Sequence, residues 1–180
     1  MYRIAIEKLL KWKQSKRRKP LIIEGARQVG KTWLMKEFGR QAYADTIYIN
    51  FDSNSRMAEL FASDLDTDRL IMGLELYAGR KIDPNNTLLI FDEVQECPNI
   101  ISALKYFCQD FKEIPVIATG SMVRIKLQRE THKRGSKENN KFLFPVGKIN
   151  QITIYPMTFD EFLMNSNKML YDTIKNAYES

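Results

Sequence analysis

Five short apolar runs, separated by segments of helical length, restrict the folds open to this chain more than any other feature. The runs are "PLIIE" (20–24), "TIYINF" (46–51), "TLLIFDE" (87–93), "PVIATG" (115–120) and "INQITIYP" (149–156). The first is continuously apolar for three residues, as suits a strand buried on both faces. Segments 31–41, 55–62, 66–79 and 98–111 lie between the runs and are long enough for helices. Strands alternating with helices predict a parallel sheet covered on both faces, joined by right-handed crossovers. The length, 180 residues, suits one domain with a sizeable core, and a hydrophobic fraction of 44% argues against disorder over the whole chain.

The ends and one insertion differ from this pattern. Residues 1–19 predict a helix with an apolar stripe at Ile4, Ile6, Leu9, Leu10 and Trp12, followed by the basic turn Lys16 to Lys19 and Pro20. Residues 128–141, "QRETHKRGSKENNK", are charged and nearly free of apolar side chains, and predict a flexible surface loop that holds the lone His132. Residues 157–180 predict a helical segment after the fifth strand. Lys and Arg exceed Asp and Glu by 28 to 22, a net charge of +6, compatible with an anionic ligand or with a solvated basic surface. Cys97 and Cys108 form no disulfide framework; their spacing predicts one face of a helix, as reduced core thiols. No run suits a signal peptide or a membrane span, so the chain reads as soluble and cytoplasmic.

The first strand runs into Gly25-x-x-x-x-Gly30-Lys31-Thr32, the complete phosphate-binding loop pattern. Glycines let the backbone approach an anion closely. The N–H groups of Gln28, Val29, Gly30, Lys31 and Thr32 can then converge on phosphate oxygens, beside the positive end of the helix that opens at Lys31. Lys31 serves the β- and γ-phosphates as a point charge, and Thr32 offers a hydroxyl to Mg²⁺.

The third strand ends in Asp92 and Glu93. At the carboxyl edge of a parallel sheet these acids face the ligand crevice. Asp92 is the expected Mg²⁺ partner and Glu93 the expected base for an attacking water. The chain lacks the Asp-x-x-Gly and Asn-Lys-x-Asp words of a GTPase, and the acid pair argues against a small-molecule kinase. ATP is the expected nucleotide. The fourth strand ends in Thr119, Gly120 and Ser121. Either Thr119 or Ser121 is a candidate sensor of the γ-phosphate, and Ser121 is equally a candidate helix cap.

With these motifs placed, the chain resembles the prokaryotic AAA+-like ATPases that join a P-loop core to a C-terminal domain of uncertain role. The matching words are "KPLIIEGARQVGKT", "LLIFDEVQECP", "VIATGS" and "FPVGKINQITIYPMTFDEFL". The resemblance implies a three-layer αβα P-loop NTPase with a central parallel sheet of order 5-1-4-3-2. It also implies that residues 1–180 are the ATPase core alone, without the helical lid and C-terminal domain of relatives. Trp33 stands where relatives place a small residue or Thr, and packs in the core or lies near the nucleotide. Arg27 braces the loop or touches phosphate. Arg124 and Arg129 are candidates for an arginine finger.

The expected function is Mg²⁺-dependent binding and hydrolysis of ATP, coupled to an output domain or protein client. Two alternatives remain: a nucleic-acid-binding module that uses the basic segments 11–19 and 124–148, and a nucleotide-gated signalling switch with little turnover.

Overall fold

Side chains alternate across a strand, so each strand feeds two apolar layers. In β3 (Thr87–Asp92) all six residues are buried. Leu88 and Ile90 join the layer under one set of helices, and Leu89 and Phe91 the layer under the other. The computed structural model describes residues 1–120 and 147–179.

The elements follow one another as α1 (Ile4–Gln14), β1 (Leu21–Glu24), α2 (Lys31–Ala42), β2 (Asp45–Asn50), α3 (Ser55–Ser63), α4 (Thr67–Ala78), β3, a short 3₁₀ turn (Val94–Glu96) and α5 (Asn99–Asp110). After these come β4 (Val116–Thr119), β5 (Asn150–Thr153), α6 (Phe159–Ser166) and α7 (Lys168–Glu179). The five strands are parallel, in the order β2-β3-β4-β1-β5. This is the expected 5-1-4-3-2 order read from the other edge, and it makes the molecule a P-loop α/β fold with the loop strand inside the sheet.

One layer packs α1 and α2 on the sheet through Leu9, Trp12, Leu34, Met35 and Phe38. The other packs α3, α4 and α5 through Phe61, Leu70, Leu74, Leu104 and Phe107. Phe51, Phe61, Phe91 and Phe107 meet there edge to face, with centroids 5.5 to 6.1 Å apart. Each such ring contributes roughly 1.5–3 kcal/mol by burial, with about 0.5–1.5 kcal/mol more for the edge-on geometry.

Several local expectations need correction. Ile4 and Leu10, assigned to the buried stripe of α1, are exposed; Ala5, Ile6, Leu9 and Trp12 are the buried set. Ile4 lies in the first turn, where its N–H is claimed by the carboxylate of Glu161. Cys97 is not on a helix face with Cys108. It closes the 3₁₀ turn before α5, with Pro98 as the cap ahead of the first helical residue, Asn99. Both thiols are free.

The basic residues around the first turn are engaged with backbone. Lys13 donates to the Ala42 carbonyl, Arg18 to the Glu113 carbonyl and Lys19 to the Gly147 carbonyl. These cations hold together the amino-terminal edge of the sheet, opposite the phosphate-loop motif. The expected loop over 128–141, with His132, and the candidates Ser121, Arg124 and Arg129 lie outside the described residues. No helix among the described residues is long and apolar enough to cross a membrane.

Candidate functional site

The glycines of the loop after β1 are required for two different reasons. A Cβ on Gly25 would lie 2.5 Å from the carbonyl oxygen of Ile154, just past β5. The sheet brings those backbones together, for the Ile154 N–H donates to the Glu24 carbonyl at 2.7 Å. Gly30 has room for a side chain but takes φ 88°, in the left-handed region that favours glycine. Gln28 is also left-handed, at φ 64°, and a non-glycine residue there carries strain. Alternating hands along 28–30 is the backbone arrangement that aims successive N–H groups into one concavity. Val29 turns inward and anchors the loop in the layer beneath α1 and α2.

Lys31 opens α2, and its amine donates to the loop's own Gly25 and Ala26 carbonyls at 2.9 and 2.6 Å. Burial holds this amine below the usual lysine range, against the opposing pull of Glu93 and Asp92. The ammonium therefore sits inside the loop's curve, held by carbonyl groups that an anion can replace.

Thr32 projects from the first turn of α2 toward β3. Its Oγ1 donates to Asp92 Oδ2 at 2.8 Å. Asp92 ends β3 and is 2% exposed. Two further donors reach it: Tyr48 Oη at 2.8 Å on Oδ2 and the Glu93 N–H at 3.0 Å on Oδ1. The Asp92 carboxylate thus meets three neutral donors, and no ion pair reaches it among the described residues.

Glu93 leaves the strand in a left-handed conformation, φ 55°. That turn re-aims its side chain into the crevice, where its Oε2 accepts a hydrogen bond from Gln95 Nε2. The crevice has a volume of about 460 Å³, with Gln28, Gly30, Lys31 and Thr32 on the loop side and Asp52, Glu93, Gln95 and Glu96 on the acid side. Arg27 stands at its rim, exposed. This size falls within the usual range for small-molecule sites.

The structure thus brings together Gly25 to Thr32, Asp92 and Glu93. Trp33 is half-buried and packs on the α1–α2 layer rather than lining the crevice. Thr119 is fully buried, and its hydroxyl donates to the Ile23 carbonyl on the neighbouring strand at 2.9 Å. Asp52, Gln95, Glu96 and Tyr48 are additions that motif reading did not find. Asp52 follows the carboxyl end of β2, and the neighbouring strands β2 and β3 pair Asn50 with Asp92. The order 5-1-4-3-2 therefore already contained a signal for the β2 edge.

A family model described as an AAA domain matches residues 17–163. Among solved structures, the Walker-type ATPase paby2304 of Pyrococcus abyssi is similar, with a TM-score of 0.54 and 17% identity. That match covers 99% of this chain and 62% of the Pyrococcus chain. The Orc1 protein of Aeropyrum pernix, solved in complex with DNA, aligns at a TM-score of 0.46 and 14% identity, over 89% of this chain and 45% of its own. No curated protein matches. The present chain therefore spans less than two thirds of either structural relative.

Proposed function

The chain belongs to the AAA domain family, and on that premise we propose that it binds ATP together with Mg²⁺ and hydrolyses the terminal phosphate. One observation carries the reading: the Thr32 hydroxyl lies 2.8 Å from the Asp92 carboxylate at the mouth of the glycine loop. A hydroxyl and a carboxylate side by side are oxygen donors of the kind Mg²⁺ takes, and that cation usually keeps several waters. No cluster of three or more His, Cys, Asp or Glu side chains suited to a metal occurs among the described residues. Phosphate and water oxygens would complete the shell. When bound, the cation neutralises charge developing on the phosphoryl oxygens.

The chain's own residues have separable tasks in this reading. The N–H groups of the loop and the Lys31 ammonium hold and orient the polyphosphate, the ammonium leaving the Gly25 and Ala26 carbonyls to do so. Thr32 and Asp92 hold the cation. Glu93 takes the proton of the attacking water, once its carboxylate exchanges Gln95 for that water. The barrier falls mainly through positioning and electrostatics. Thr119 acts through β1, since its hydroxyl braces the Ile23 carbonyl two residues before the loop. Coupling of turnover to an output domain or client belongs to this proposal as well.

Titration with a fluorescent ATP analogue tests the reading. Lys31→Ala should weaken binding at least tenfold, and Glu93→Gln should retain binding while phosphate release stops. Unchanged affinity in Lys31→Ala would remove the loop from nucleotide binding. Unchanged turnover in Glu93→Gln would assign the base elsewhere.

A further inference from the structure

Tyr48 is the one side chain on β2 that donates to the acid strand's Asp92. The parallel register pairs Tyr48 with Ile90 and Asn50 with Asp92. Strand alternation puts Tyr48, Ile90 and Asp92 on the face covered by α2, the helix that also delivers Thr32. The Tyr48 ring is half-buried beneath Lys36, whose Nζ lies 3.8 Å from the ring centroid. That cation–π contact fixes the ring between helix and sheet and leaves the hydroxyl pointing along β3. Its Oη and the Thr32 Oγ1 each lie 2.8 Å from the same oxygen, Asp92 Oδ2.

The sharing of that oxygen has a chemical consequence. A carboxylate oxygen has about two lone-pair sites. Thr32 and Tyr48 fill both sites of Oδ2, whereas Oδ1 accepts only the Glu93 N–H among the described residues. The carboxylate is pinned from both ends, and one acceptor site on Oδ1 stays open. Without Tyr48, Asp92 loses one of its two side-chain restraints and can rotate away from Thr32.

We propose that Tyr48 is a positioning residue for divalent-cation binding: its hydroxyl holds Asp92 in the orientation that Thr32 and the cation both require. The inference rests on the Mg²⁺–ATP reading above and deepens it. Tyr48 touches neither nucleotide nor cation in this account. Its effect passes through Asp92, in the way that groups hydrogen-bonded to a metal-binding carboxylate commonly tune metal affinity by 10–100-fold.

The test is Tyr48→Phe, which keeps the ring and its packing under Lys36. ATP affinity is measured twice, in EDTA and across a Mg²⁺ titration. The expected result is an ATP affinity in EDTA within about twofold of the parent, and a Mg²⁺ requirement raised by about tenfold. The EDTA measurement doubles as the control for a folded loop. A parental Mg²⁺ requirement in Tyr48→Phe overturns the positioning role and leaves the ATP reading standing. An equal loss of ATP affinity with and without Mg²⁺ also overturns it, because Tyr48 would then support the pocket as a whole. A parent protein whose ATP affinity ignores Mg²⁺ overturns the reading itself, and this inference with it.

Discussion

Asp92 and Glu161 are both carboxylates withdrawn from solvent, at 2% and 3% exposure, yet their surroundings have opposite logic. Glu161 meets a fixed cation. Its Oε1 lies 3.2 Å from Arg3 Nε and accepts the Ile4 N–H, while its Oε2 accepts the Thr158 N–H in a capping box. Arg3 in turn donates to the Val29 and Tyr155 carbonyls. The pair ties α1, the phosphate loop and α6 into one joint, and its charge is balanced within the fold. Asp92 meets two hydroxyls and an amide, and no fixed cation pairs with it among the described residues. The Lys31 ammonium acts on it only at longer range, held as it is on the Gly25 and Ala26 carbonyls, so a buried anion whose hydrogen-bond donors are all neutral still has room for a directly bound cation. The first carboxylate organises structure; the second leaves a demand that a mobile cation can meet.

Substitution at the joint is the harshest way to break that contrast. Arg3→Met should cost about 3–5 kcal/mol, since it leaves Glu161 buried without its partner. Thermal or urea unfolding measures this, and the double variant Arg3→Met, Glu161→Gln should recover part of the loss, because the amide removes the unpaired charge and keeps an accepting oxygen for the backbone N–H groups. An unaltered midpoint in Arg3→Met would make the joint dispensable. Asp92→Asn should behave differently. Folding stability should stay within about 1 kcal/mol, because the amide oxygen still accepts a hydrogen bond, while Mg²⁺ no longer strengthens ATP binding. A stability loss as large as that of Arg3→Met would place the two carboxylates in one class.

The smallest effect sharpens the contrast through pH. The Tyr48 hydroxyl is pushed up to about 12 from an ordinary 10.0, first by burial and then by its hydrogen bond to Asp92. The folded-state value lies above the unfolded one. The associated stability is therefore complete below pH 10 and declines as pH rises through about 12. Burial also pushes the Tyr43 hydroxyl up to about 12, so a tyrosinate absorbance titration should show two late-titrating groups, of which one vanishes in Tyr48→Phe and shifts downward in Asp92→Asn. If the group lost in Tyr48→Phe is unmoved by Asp92→Asn, burial and not the hydrogen bond to Asp92 raises it.

Much of the candidate site was legible before any coordinates, for reasons that differ from residue to residue. Gly30, Lys31 and Thr32 act through local backbone and one helix start, so their spacing carries the signal. Asp92 was legible because an apolar strand ending in acids must release them at an edge. The strand order came from resemblance, since periodicity identifies strands but does not rank them across a sheet. The helical segment expected over 157–180 begins in the structure with a capping box at Thr158 and Glu161. Nothing in that segment announces that Glu161 would also meet Arg3, which is 158 positions earlier. Tyr48 was similarly hidden: alternation marks it as half-buried, but its partner depends on the register between β2 and β3.

The amino-acid sequence by itself determined the glycine loop, the apolar strands and the acids that end the third of them, because those features are set by neighbours in the chain. Only the tertiary structure decided which side chains share a carboxylate. It delivered Tyr48 and Thr32 to one oxygen of Asp92, and Arg3 to Glu161. It also made Gly25 a necessity of close backbone approach to Ile154. The physical reason is common to all three. Such contacts join segments distant in sequence, and their geometry exists only once sheet register and helix packing have been fixed by burial of the two apolar layers.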